Sequence, residues 1–139
     1  MTQKDKELLM KDLCARLPYG VKIKLGDNPN IFDLEYRIKF AVMYGDSDKL
    51  EDILDVTNIK PYLFPLSSMT EAQQEEFDRI YADDMQVVAS NLKNRLDGKP
   101  YERNLGHYRH IDWLNANHFD YRGLISKGLA IDATGLNIY

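Results

Sequence analysis

Residues 34–44, Leu-Glu-Tyr-Arg-Ile-Lys-Phe-Ala-Val-Met-Tyr, carry the reading on which the fold turns. Leu34, Tyr36, Ile38, Phe40, Val42 and Tyr44 alternate with Glu35, Arg37 and Lys39. A period of two puts one face of a strand in a core and the other in water. Ala41 and Met43 blur the far end. Upstream, Val21, Ile23 and Leu25 alternate with Lys22 and Lys24 in the same way. Gly26-Asp27-Asn28-Pro29-Asn30 lies between the two runs as a turn or loop. Residues 21–44 are therefore expected to supply the first two strands of a small sheet.

The next segments extend it. Gly45-Asp46-Ser47-Asp48 is a second turn. Residues 49–56 suit a helix through Leu50, Ile53 and Leu54, or a strand through Leu50, Leu54 and Val56. A third strand is favoured, because a meander needs a partner for its second strand. Ile59–Leu66 is apolar and holds Pro61 and Pro65. Proline has no amide hydrogen to donate, so this run is expected at a sheet edge or as a strap over the core.

Helices flank the strands. Met10, Leu13, Cys14 and Leu17 form a helical stripe that Pro18 and Gly20 stop. Ser68 and Glu71 have the spacing of a capping box, which predicts a helix start. Phe77, Ile80, Tyr81, Val88 and Leu92 give that helix an apolar side, and Asp83-Asp84 is a candidate break between two helices. Asp97-Gly98-Lys99-Pro100 ends it. Tyr108–Asn117 reads as a further helix, and Asp120 as the cap of a short turn that Gly128 closes. The sum is one α+β domain over residues 1–139: an N-terminal helix, a small antiparallel sheet of about three strands, and C-terminal helices packed on one face.

Composition narrows the function. Hydrophobic residues make up 44% and charged residues 29% of 139 positions, a globular balance. The net charge of -4 opposes polyanion binding by the molecule as a whole. Charge is uneven: residues 46–84 hold eleven Asp/Glu against three Lys/Arg, while 93–110 are basic. Cys14 is the single cysteine, so the chain forms no internal disulfide and no Cys cluster for zinc. The opening residues lack a secretory apolar core, and no apolar run nears the roughly 20 residues of a membrane span. A cytoplasmic protein with no membrane contact is expected.

Catalytic motifs are missing. GxSxG, HExxH, GxGxxG and the phosphate-binding loop do not occur. Ser67-Ser68 is better explained by a cap, and the acidic pairs by solvation. No catalytic residue and no cofactor is assigned. His107, His110 and His118, with Asp112, are the one grouping with metal-ligand chemistry; Gly106 beside His107 weakens it. An enzyme or metal protein built on these histidines is the third reading. Lys99, Tyr101, Arg103, Tyr108 and Arg109 interleave cations with rings, the pattern that neutralises phosphates and stacks on bases. A nucleic-acid module using this stretch is the second reading.

The leading reading is a non-enzymatic interaction protein whose partner is another protein. Residues 113–133, WLNANHFDYRGLISKGLAIDA, hold the only tryptophan. Trp113, His118, Asp120, Tyr121 and Arg122 combine large apolar area with a guanidinium able to grip a carboxylate. They are the candidate binding residues; the same features suit a segment that staples helix to sheet.

This segment, together with IKPYLFPLSSMTEAQQEEF at 59–77 and KDLCARLPYGVKIKL at 11–25, resembles a family of small uncharacterised proteins from gut Bacteroidales genomes. The likeness covers the start, middle and end of the chain; residues 82–108 fall outside it. Its members occur in prophage-like or mobile regions. The resemblance implies an accessory protein of phage or mobile-element origin and carries over no catalytic residue.

Overall fold

Helix α1 (Gln3–Arg16) opens the chain in the computed structural model, which describes residues 1–44, 55–98 and 108–139. Thr2 caps it in a full capping box with Asp5. Leu9, Asp12, Leu13 and Arg16 form its buried face. The apolar stripe is thus rotated from the expected one, and Cys14 is exposed. A short 3-10 turn, Leu17–Tyr19, and Gly20 at φ 71° stop the helix.

Strand β1 (Lys22–Leu25) follows as expected, with Ile23 fully buried, and pairs antiparallel with β2 (Ile31–Asp33). The expected second strand is corrected here. Leu34–Tyr44 is helix α2. The alternating set would have buried Tyr36 and Phe40, yet these are 65% and 46% exposed. Leu34 is buried and Ile38 half-buried, one helical turn apart. The apolar set has members at both spacings, and burial of the i, i+4 pair decides between them. The expected third strand falls mainly on residues outside those described; Val56 within it starts a 3-10 turn, Val56–Asn58.

Strand β3 (Ile59–Pro65) is central, not an edge or a strap. It pairs antiparallel with β1 and parallel with both β4 (Phe119–Asp120) and β5 (Ile131–Asp132). Pro61 is tolerated for a geometric reason. The Gly26 amide donates to the Asn58 carbonyl at 2.8 Å, so Lys24 and Lys60, two residues along, also form a hydrogen-bonding pair. Pro61 stands between, opposite Ile23, where the antiparallel ladder asks for no amide. Among the described residues the sheet is therefore mixed and five-stranded, and the helices are not all C-terminal; the class is α+β.

The chain divides into two compact units, residues 1–68 with 115–139, and residues 69–114. The first holds the sheet, and its core gathers Leu9, Leu13, Ile23, Leu34, Leu63 and Leu124. In the second, helix α3 runs unbroken from Glu71 to Leu96, through Asp83-Asp84. Its cap is Thr70 with Gln73; the Ser68 hydroxyl donates instead to the Pro65 carbonyl. Gln73, Phe77, Ile80, Asp84, Val87, Asn91 and Asn94 are its least exposed positions, at alternating spacings of four and three. Helix α4 (Arg109–Ala116) leads back into the first unit.

Candidate functional site

The FDYRG segment is built into the first unit by a buried charge network. Arg16 Nε donates to Asp12 Oδ2 at 2.7 Å, and both side chains are fully buried. Arg122 Nη1 donates to the other oxygen, Asp12 Oδ1, at 2.7 Å. Arg16 Nη2 donates to the Phe119 carbonyl at 2.7 Å. One carboxylate thus holds two guanidiniums, and one of these reaches the backbone of β4. The Tyr121 ring lies against both cations, 5.2 Å from Arg16 Cζ and 4.6 Å from Arg122 Cζ. Electron density on the ring face partly replaces the water these cations give up. The Tyr121 hydroxyl donates to Asn115 Oδ1 at 2.9 Å.

Asp120 has a separate task. Its two carboxylate oxygens accept from the Leu124 and Ile125 amides, each at 2.9 Å. That folds the turn which buries Leu124, as the sequence reading of Asp120 as a cap expects. His118 sits at φ 62°, in the left-handed region that few side chains adopt. The bend aims its carbonyl at the Phe64 amide, 2.8 Å away, and starts the β3–β4 pairing. Its ring stacks on Tyr139 at 3.5 Å between centroids. Burial, reinforced by the charges of Arg16 and Lys22, pushes the His118 imidazole down to about 4. It is neutral at pH 7. The Tyr139 phenol is pushed up to about 12, chiefly by burial.

Trp113 belongs to the second unit, where its ring packs 5.7 Å from Phe77. The structure brings His118, Asp120, Tyr121 and Arg122 into the first unit's interior contacts. Asp12, Arg16 and Tyr139, which with Asn115 complete them, went unread in the sequence. An available signal was Asp12 and Arg16 themselves, an acid and a base one helical turn apart on the Leu9–Leu13 face. The arrangement can orient and staple the segments that it joins.

In the second unit, Asp84 is buried on α3 and accepts from both the amide and the ring Nδ1 of His110, at 2.8 and 2.6 Å. Burial raises the affinity of Asp84 for a proton, but the two His110 hydrogen bonds, with the His110 and Arg109 charges, outweigh it and hold the carboxyl below its usual range. Arg109, from the basic aromatic stretch, lies 3.8 Å from Asp83. Tyr108 is exposed, and Lys99, Tyr101, Arg103 and His107 are outside the described residues. Asp112 is exposed on α4. Among the described residues no three His, Cys, Asp or Glu side chains group for a metal ion.

Two surface features complete the description. A cavity of about 330 Å³ is lined by Leu25, Gly26, Arg37, Asp55, Asn58 and Ile59. The Asp55 carboxylate there is occupied by Thr57 and Asn58. On α3, Tyr81, Met85, Val88, Leu92 and Leu96 are 45%, 37%, 45%, 58% and 79% exposed. With 3.6 residues per turn they fall on one side of the helix, about a quarter-turn or more from its least exposed stripe, with Ala82 and Ala89 at the margin. Sequence reading took Tyr81, Val88 and Leu92 for the inner side, because exposure cannot be told from apolarity alone. Among the described residues no helix is long and apolar enough to cross a membrane. Comparison with family models, curated proteins and solved structures finds no match to this chain.

Proposed function

We propose that the chain is a non-enzymatic interaction protein working in the cytoplasm, and that the apolar seam of α3 is the surface it offers to a protein partner. The single observation behind this is the seam itself: five large apolar side chains exposed along one line of one helix. Single exposed apolar residues are ordinary, but a contiguous row is costly in water and marks a surface that is covered in use. Helices laid against helices through such rows are a recurrent mode of protein recognition. An accessory role in a phage-derived or mobile region accords with the resemblance in sequence. The WLNANHFDYRG segment then serves the fold of the surface's carrier, since Arg122 Nη1 and both carboxylate oxygens of Asp120 are engaged internally.

A photo-activated cross-linking residue at Val88, with one at Lys60 as control, tests this in the cells that make the protein. Adducts to a defined protein from position 88 and not from 60 are expected. Irradiation that gives no adduct specific to Val88 removes the reading.

A further inference from the structure

We infer that the α3 seam is covered by the same seam of a second copy of this chain, packed antiparallel. The inference rests on the reading of that seam as an interaction surface and names the partner.

Spacing comes first. Tyr81, Met85, Val88 and Leu92 follow one another at four, three and four residues, the rhythm of a two-helix seam, and Leu96 continues it one turn later. Alanines 82 and 89 flank it and let a second backbone approach closely. A symmetric antiparallel pair centred between Val88 and Ala89 sets Tyr81 of one copy beside Leu96 of the other, and Met85 beside Leu92. Every large side chain of the seam then meets an apolar one.

Charge decides the direction. From Glu71 to Asp84, α3 carries six carboxylates and one arginine; from Met85 to Leu96 it carries Lys93 and Arg95 and no acid. A parallel pair would lay one acidic half along the other. An antiparallel pair in this register keeps the two acidic halves apart, sets Lys93 and Arg95 of each copy alongside residues 84 and 82 of the other, at the end of its acidic half, and opposes the two helix dipoles. α3 itself meets both requirements, an apolar seam and charge of opposite sign at its two ends. The seam spans about 22 Å at 1.5 Å per residue. A single seam of that length makes a small interface beside the roughly 800 Å² per partner of a standard stable one, so a reversible pair is expected.

Light scattering and sedimentation equilibrium on the full chain, from about 1 µM to about 1 mM, test the inference. The expected result is a concentration-dependent rise from 16.2 kDa to twice that mass. Val88→Glu with Leu92→Glu is expected to weaken the pair at least about tenfold. Both sites are exposed, so helical circular dichroism and Trp113 emission should be unchanged. Direction is read in a Cys14→Ser background: a mixture of Met85→Cys and Leu92→Cys chains should yield the mixed disulfide over either self-linked product. A monomer at every concentration, a dimer indifferent to the glutamates, or preferential Met85→Cys self-linking overturns the inference. A monomer that still cross-links through Val88 to another protein overturns self-pairing alone; a monomer with no adduct overturns the interaction reading as well.

Discussion

The Tyr139 hydroxyl stands between two strands: it accepts from the Lys22 amide at 2.9 Å and donates to the Tyr62 carbonyl at 2.7 Å. The β1–β3 register sets Lys22 opposite Tyr62, so the phenol bridges two backbone groups that the next rung of the ladder would have joined. The bridge carries one donor and one acceptor at no cost in unpaired groups. Tyr139→Phe keeps the ring packing and removes both bonds. We expect a loss of about 1 kcal/mol in urea unfolding and faster hydrogen exchange at the Lys22 amide. Unchanged exchange at Lys22 would show that the strands close the rung without the phenol.

His118, stacked on that same phenol, makes stability depend on pH. Its folded-state pKa of about 4 lies below the ordinary 6.5. Below pH 6.5 the unfolded chain takes up a proton that the folded chain refuses, so stability is full above about 6.5 and falls as pH drops towards 4. Allowing for partial solvent screening of the ring, this amounts to about 1–2 kcal/mol. Urea midpoints at pH 7, 5.5 and 4 should show the decline, and His118→Phe should flatten that share of it. An imidazole that titrates near 6.5 by NMR would contradict the burial argument.

Asp12 holds two guanidiniums, so removing it strands both. Asp12→Ala should cost about 3–5 kcal/mol, because Arg16 is fully buried and cannot turn to water. Arg122→Ala should cost less, about 1.5–3 kcal/mol, since Arg122 is partly exposed and its loss leaves Asp12 still paired with Arg16. Thermal and urea unfolding give the order. Equal costs would mean that Arg122, and not Arg16, is the main partner of Asp12.

The start of α3 separates two candidate caps. Thr70→Ala removes the hydroxyl that accepts from the Gln73 amide and should cost about 1 kcal/mol of helix stability, seen as fraying of residues 71–74 in hydrogen exchange. Ser68→Ala should change it by less than about 0.5 kcal/mol, because Ser68 serves the Pro65 carbonyl instead.

Local signals were legible wherever one residue's chemistry sets one backbone feature. The β1 alternation, the stop at Gly20, the end of α3 near Asp97 and the Asp120 cap all follow from side chains acting within a few residues. The candidate site was half legible: FDYRG was singled out, but its counter-ion lies on α1, and the i, i+110 contact from Arg122 to Asp12 leaves no trace in local spacing.

Residues 34–44 show the same division most clearly. Their composition alone settles that the segment is amphipathic and lies against a core. Whether its period is two or 3.6 depended on which of its apolar residues found neighbours, and Leu34 and Ile38 found the core while Tyr36 and Phe40 did not. Pro61 is the counterpart. Its chemistry forbids an amide bond, but only the register opposite Ile23 made that prohibition harmless in a central strand. Sequence by itself determines propensities and the inventory of donors, charges and apolar surface. Tertiary structure decides which of them are satisfied by partners far along the chain, because burial and pairing are properties of what arrives on the other side.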